Sequence, residues 1–105
     1  MDDVKVYMVV NLDIEDKDTY LKYEKGFFPI LKKHGGEFVT FDDSVRHLEG
    51  PEPLPGGRVI IFSFPSEAAA DGWYNDPEYQ ELSKFRRDGA PLRSLSLVKG
   101  LPPRK

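Results

Sequence analysis

The segment RVIIFSF (Arg58–Phe64) carries most of the fold information in this chain of 105 residues. Its β-branched and aromatic residues are typical of a strand, and both of its alternating faces are mostly apolar. A strand in a sheet with helices on one side only would instead have polar residues on its other face. We therefore expect a cover on both faces of this sheet, and a second copy of the chain would supply the second cover.

Three other segments resemble strands: residues 4–11, residues 37–41 and Leu92–Lys99. Residues 44–49 are expected to form a short strand continuation or hairpin partner of the second strand. Three prolines lie within residues 50–57, and since proline cannot donate to a sheet ladder, this stretch is predicted to be a loop.

A first helix is predicted between the first two strands. Acidic residues over 14–18 suit a helix N-terminus, and apolar residues then recur at spacings of three and four up to about Lys33. Pro29 cannot donate a hydrogen bond to the carbonyl of Lys25, and Gly26 lies nearby, so we expect a kink or a restart there. A glycine directly after His34 is expected to end the helix in the left-handed conformation.

A second helical region follows Arg58–Phe64 and is expected to form in two pieces. Ser66 is placed to cap the first piece, and Asp76 is placed to cap the second, with Pro77 at its first helical position. The element order is then strand, helix, strand, strand, helix, strand. This order predicts one α+β domain of the ferredoxin-like βαββαβ type, with a four-stranded antiparallel sheet and both helices on one face. Two such sheets packed face to face would form a dimeric α/β barrel.

Composition narrows the function classes. The 15 basic and 18 acidic residues give a formal net charge of −3, which does not favour binding to nucleic acid. There is no cysteine, and the two histidines have no regular ligand spacing, so we expect neither a metal site nor a cofactor. The acidic start and the lack of a long apolar run favour a cytoplasmic protein without a membrane partner.

Several short motifs resemble the DUF1330 family, over about residues 4–100. They include His34-Gly35-Gly36, Phe64-Pro65-Ser66, Trp73-Tyr74, Pro77-Glu78-Tyr79, Leu82 and Arg86. That family belongs to the dimeric α+β barrel superfamily, so the resemblance implies a homodimer. It implies no reaction, since the wider superfamily includes cofactor-independent monooxygenases, isomerases and larger haem enzymes, and the chain has no recognisable haem-ligand motif.

Aromatic residues on both helices form the candidate binding site, in a pocket between the helices and the sheet. The expected ligand contacts are Tyr20, Tyr23, Phe27, Trp73, Tyr79 and Arg87, with Tyr74 and Phe85 in the same aromatic set. Aromatic stripes at helical spacing also occur in ordinary hydrophobic cores, and both interpretations stay open. The tyrosines favour a ligand, because a buried hydroxyl requires a hydrogen-bond partner.

Three residues are candidates for catalysis. His34 or Tyr74 would transfer a proton, and Arg86 would hold a carboxylate or an enolate with two parallel hydrogen bonds. Each has a structural alternative: His34, Arg86 and Arg87 lie near helix C-termini, where the helix dipole favours cations.

Two functions therefore remain open. One is an enzyme without a metal or organic cofactor, such as an isomerase or a monooxygenase acting on a small aromatic or acidic molecule. The other is a non-catalytic dimer, which either binds such a molecule or has a structural role.

Overall fold

The computed structural model describes residues 4–52 and 57–101. The elements are, in chain order, β1 (Val6–Leu12), α1 (Lys17–Lys33), β2 (Glu37–Asp42), β3 (Arg58–Phe64), α2 (Glu67–Tyr74), α3 (Pro77–Gly89) and β4 (Leu92–Lys99). The predictions for residues 1–3, 53–56 and 102–105 lie outside the described residues.

The four strands form one antiparallel sheet in the order β2-β3-β1-β4. Strand β1 lies in the centre, where Met8 is paired with Phe62 on β3 and with Leu97 on β4. This is the ferredoxin-like arrangement predicted from the sequence. The predicted element order and the position of the helices on one face are both confirmed.

The core lies between the helices and one face of the sheet. Every second residue of β1 from Val6 to Leu12 is buried on this face, and Phe62 and Phe64 of β3 lie beside them. The helices contribute Tyr20, Tyr23, Phe27, Ile30, Leu31, Ala70, Trp73 and Tyr79. Helices α1 and α3 lie close together at Gly26, where an added Cβ would come within 2.7 Å of Leu82 Cδ1.

Helix α1 runs without a break from Lys17 to Lys33, so of the kink or restart expected at Pro29 the restart is wrong. The helix begins at an Asp16 cap, whose Oδ1 accepts a hydrogen bond from the Thr19 backbone N–H. Pro29 and Lys25 are both exposed, so water can bind the Lys25 carbonyl that loses its helical donor. Gly35, at φ 75°, ends the helix in the left-handed conformation, as predicted.

The corner between α2 and α3 has the predicted caps. Ser66 Oγ accepts a hydrogen bond from the Ala69 N–H, and Asp76 Oδ1 accepts one from the Glu78 N–H. Pro77 occupies the first turn of α3, where its missing N–H leaves no helical bond unmade.

The strand expected over residues 44–49 is not present. Asp42 Oδ1 accepts a hydrogen bond from the Ser44 N–H at 2.7 Å, which forms a local turn at the end of β2. His47 Nε2 lies 2.9 Å from the Gly50 carbonyl oxygen, so this side chain also makes a local bond. All residues of the segment are exposed and it has no apolar face to bury.

The second face of the sheet is also apolar. Tyr7, Val9, Val59 and Ile61 alternate with the core residues of β1 and β3 and remain only half-buried, while Val98 is 50% exposed. Since the buried residues of the helices all cluster on the other face, this second face is the one for which a cover was predicted. Within the described part of the chain, no helix has the length and apolar character needed to cross a membrane.

Candidate functional site

A cavity of about 390 Å³ lies between α1, the sheet and α3. Its floor consists of apolar residues of the sheet: Val10, Leu12, Ile60, Phe62, Leu92 and Leu95. Its walls consist of Ile14, Lys17, Tyr20, Leu21, Tyr23, Glu24, Phe27, Phe28, Phe38, Phe41, Arg58, Trp73, Tyr79 and Arg86. A volume of this size is within the range of small-molecule sites.

Contacts between aromatic rings set the shape of the cavity. The ring of Phe27 packs edge-on against Phe62 with centroids 5.1 Å apart, and Phe62 packs against Trp73 at 5.2 Å. Trp73 in turn lies 4.1 Å from Tyr79. These rings pack against one another as core residues do, and they also line the cavity. They therefore fit both interpretations of the aromatic residues, as an ordinary core and as a ligand site.

Three phenols supply polar groups to the lining. The hydroxyls of Tyr23 and Tyr79 lie 3.1 Å apart and form a buried hydrogen bond. Burial, together with the neighbouring Tyr79, raises the pKa of Tyr23 well above its usual value. Burial and the charge of Glu24 raise the pKa of Tyr20 to about 12. Tyr20 and Tyr23 are therefore neutral hydrogen-bond donors near pH 7.

Arg86 provides a buried positive charge. Its side chain is 95% buried, and its Nε has no hydrogen-bond partner. Within residues 4–52 and 57–101, the guanidinium makes no hydrogen bond or ion pair. Its charge reaches Tyr20 and Tyr23, whose pKa values it lowers against the larger effect of burial. A buried charge without a counter-charge is costly, so Arg86 is suited to bind an anion that enters the cavity.

Arg58 is paired with two acids. Its Nε and Nη2 donate to the two Asp43 carboxylate oxygens at 2.6 and 3.1 Å, and its Nη1 donates to Glu24 Oε1 at 2.9 Å. Its guanidinium also lies 4.5 Å from the centroid of the Phe41 ring. Because Arg58 has its own counter-charges, it competes less well than Arg86 for an anionic ligand.

Six of the candidate residues come together in the cavity lining: Tyr20, Tyr23, Phe27, Trp73, Tyr79 and Arg86. Arg86 lines the cavity, whereas Arg87 of the same helix does not. The indole Nε1 of Trp73 is buried without a partner among the described residues, so it is a second unused donor.

Four other candidates lie outside the lining. Tyr74 is 40% exposed and packs against the ring of Tyr79 at 6.1 Å. Arg87 is exposed and donates to Gln80 Oε1 at 3.2 Å. Phe85 is 38% exposed, with Lys22 Nζ 5.7 Å from its ring centroid.

His34 is the fourth candidate outside the lining and lies at the helix corner. Its Nε2 is 2.7 Å from Asp76 Oδ2, and Lys33 Nζ is 3.0 Å from the same oxygen. These contacts lower the pKa of Asp76 to about 2, with the His34 hydrogen bond as the largest cause. His34 thus fastens the end of α1 to the start of α3.

Two charged residues of the lining, Arg58 and Glu24, were not predicted from the sequence. Both lie at positions that continue the spacing of the neighbouring core residues. Arg58 has the two-residue period of Ile60 and Phe62, which directs it to the helical side of β3. Glu24 is one helical turn after Tyr20 and one turn before Phe27. In both cases the sequence has a charged residue at a position where the spacing predicts an apolar one, and this departure could have identified the residue. Across the described residues there is no cluster of three or more potential metal ligands.

A model of the DUF1330 family, described as a domain of unknown function, matches residues 5–101. The chain belongs to this family. The DUF1330 chain has no significant match among curated proteins.

Solved structures resemble the DUF1330 chain over nearly its whole length. The RPA0582 protein of unknown function from Rhodopseudomonas palustris is 24% identical, with a TM-score of 0.76 over 96% of this chain and 85% of that one. SnoaB, a cofactor-independent oxygenase from Streptomyces nogalater, is 10% identical, with a TM-score of 0.63 over 95% of this chain and 96% of SnoaB. A nipsnap family protein of unknown function from Agrobacterium tumefaciens is 22% identical, with a TM-score of 0.58 over 96% and 90% of the two chains. These similarities establish a shared ferredoxin-like α+β fold.

Proposed function

We propose that the chain binds a small aromatic anion in the cavity, with Arg86 as the contact for its negative group. The observation that carries this proposal is the buried guanidinium of Arg86, which has no counter-charge among the described residues. A carboxylate or an enolate would accept two parallel hydrogen bonds from it. The surrounding rings of Phe27, Trp73 and Tyr79 would hold the aromatic part of the ligand.

The polar groups of the lining also support an enzymatic form of the proposal. The buried phenols and Arg86 are donors suited to an oxygen on which negative charge develops, as in an isomerase or a cofactor-independent oxygenase. SnoaB supports this form through its fold alone. His34 and Tyr74, which were expected to transfer a proton, both lie outside the cavity lining. We therefore assign them no role in the reaction. The ligand contact expected from Arg87 is left out of the proposal for the same reason.

The chain is further proposed to act as a homodimer through the second face of its sheet. The half-buried Val9, Val59 and Ile61 on that face support this assembly. The cavity lies on the helical side of the sheet, so each protomer would keep its own binding site.

Isothermal titration calorimetry with benzoylformate tests the binding function. Benzoylformate combines an aromatic ring with a carboxylate, whereas its methyl ester has the ring without the charge. We expect the acid to bind more tightly than the ester. Replacing Arg86 by Gln should weaken acid binding about 10- to 100-fold, as expected for the loss of a charged hydrogen-bonding group.

The Arg87→Gln variant is the matched control, because it removes the same charge from the next position of the same helix. Its affinity for benzoylformate should equal that of the wild type. Equal affinities for the Arg86→Gln variant and the wild type, or an equally tight ester, would contradict the proposed function. Circular dichroism of both variants checks that they fold.

A further inference from the structure

Glu24 is the one carboxylate among the described residues that line the cavity. We propose that Glu24 is the base of an enolisation, and that it removes a proton from a carbon next to a carbonyl group whose oxygen contacts Arg86. The inference rests on the proposed function, because it uses Arg86 as the contact for the anionic end of an aromatic ligand.

The contacts of Arg58 position Glu24 for this role. Arg58 is held by Asp43 through Nε and Nη2, which leaves Nη1 to bind Glu24 Oε1 at 2.9 Å. Glu24 Oε2 has no hydrogen-bond partner within the described part of the chain, so it has lone pairs with which to accept a proton. Arg58 is thus a positioning residue that fixes one oxygen of the base and leaves the other free.

Donors for the resulting oxyanion are already present. Arg86 has an unused guanidinium, and the Tyr23–Tyr79 pair has an unused hydrogen. Only one hydroxyl proton is needed to join the two phenols at 3.1 Å, and the other phenol proton has no acceptor among the described residues. The proton and the guanidinium together would form a site for a negatively charged oxygen.

Tyr20 lines the cavity together with Glu24 and Arg86. Burial and the charge of Glu24 raise the pKa of Tyr20, and the charges of Arg58 and Arg86 lower it. Tyr20, Tyr23 and Glu24 also share one face of α1, since they are spaced by three and four residues. The base and the oxyanion contact therefore line the same cavity.

The step requires no additional reactant. The C–H bond breaks, its proton bonds to Glu24 Oε2, and its electron pair becomes the carbon–carbon double bond of the enolate. The carbonyl π electrons move to the oxygen, where Arg86 balances the charge. Return of the proton from Glu24 to carbon regenerates the ketone, and an exchange with solvent between the two steps introduces deuterium in D₂O.

Phenylpyruvate in D₂O is the probe, because its methylene group lies next to a ketone, and the oxygens of the ketone and of the adjacent carboxylate can both contact the guanidinium of Arg86. NMR spectroscopy would follow the loss of the methylene signal with the wild type, Glu24→Gln, Glu24→Asp and Glu81→Gln. The exposed Glu81, which pairs with Lys84 at 2.9 Å, supplies the matched control. Benzoylformate, which has no enolisable hydrogen, would report binding to the same four proteins.

We expect the wild type to accelerate exchange above the buffer rate, and Glu24→Gln to lower that acceleration by about 100-fold or more. Glu24→Asp should retain part of it, and Glu81→Gln should retain all of it. Glu81→Gln should bind benzoylformate with the affinity of the wild type, and both Glu24 variants should still bind it. Wild-type levels of exchange in Glu24→Gln, or wild-type binding without accelerated exchange, would overturn the role of Glu24 and leave the proposed binding function intact. Failure of the wild type to bind benzoylformate would overturn both.

Discussion

At the scale of single residues, the cavity combines neutral phenols with the buried guanidinium of Arg86, which has no ion pair among the described residues. Burial is the largest cause that raises the pKa of Tyr20 and of Tyr23, since an ionised phenol would lose its hydration there. Arg86 carries a guanidinium group into the interior. The two residue types therefore suit donation to an anion, with Arg86 supplying the charge and the phenols supplying neutral O–H groups.

Burial of Tyr20 should make the protein less stable at alkaline pH. In the unfolded chain its phenol ionises near pH 10, but in the folded protein the pKa is about 12. Between these values the folded state binds more protons, so the free energy of unfolding falls as pH rises, by about 1.4 kcal/mol per pH unit for one such phenol.

Urea unfolding between pH 9 and 11 measures this effect. A Tyr20→Phe variant should show a shallower loss of stability with pH than the wild type. Tyr74→Phe, which alters an exposed ring, is the control and should retain the wild-type slope. Identical slopes for Tyr20→Phe and the wild type would contradict the prediction.

At the scale of elements, the corner between α2 and α3 is joined to the end of α1 by one carboxylate. Asp76 caps α3 through Oδ1 and contacts His34 and Lys33 through Oδ2. Its lowered pKa means that the folded state favours the ionised form. The stabilisation from Asp76 is therefore present above its usual pKa of 3.8 and is lost as pH falls toward 2.

An Asp76→Asn variant tests this connection. It should have a lower Tm than the wild type at pH 7, and its Tm should fall less between pH 4 and pH 2.5. Thermal unfolding followed by circular dichroism at the three pH values gives both quantities. Asp71→Asn, at an exposed position of α2, should behave as the wild type does. A wild-type Tm for Asp76→Asn at pH 7 would show that the corner does not depend on this carboxylate.

The elements also show which parts of the molecule the sequence predicts. Caps such as Ser66 and Asp76 act within a few residues, so their positions were predictable from local chemistry. The continuity of α1 through Pro29 was not, because it depends on the exposure of the Lys25 carbonyl in the folded chain. The aromatic lining followed from helical spacing, but the pairing of Arg58 with Glu24 joins residues 34 positions apart. Such contacts require the three-dimensional arrangement.

At the scale of the whole molecule, the sheet separates two surfaces with different proposed roles. The helical side contains the cavity, and the other side has the apolar residues Val9, Val59 and Ile61. A charge introduced at the centre of the second face should therefore affect assembly without affecting the cavity.

The Ile61→Glu variant separates the two roles. We expect the wild type to sediment as a dimer at micromolar concentration and the variant as a monomer, because a carboxylate in an apolar interface would lose its hydration. Leu48→Glu, at a 77% exposed position, should remain dimeric. Analytical ultracentrifugation gives the assembly, and benzoylformate titration should give equal affinities per chain. A monomeric wild type would rule out the proposed homodimer.

The ring cluster around Trp73 has a practical consequence. This is the one tryptophan of the chain, it is fully buried, and it both lines the cavity and lies 4.1 Å from Tyr79. Light absorbed by the neighbouring tyrosines should pass to the indole by resonance energy transfer, so most of the fluorescence should come from one known position. An aromatic ketone entering the cavity would quench that emission by contact. The unmodified protein should therefore report the occupancy of its own cavity optically.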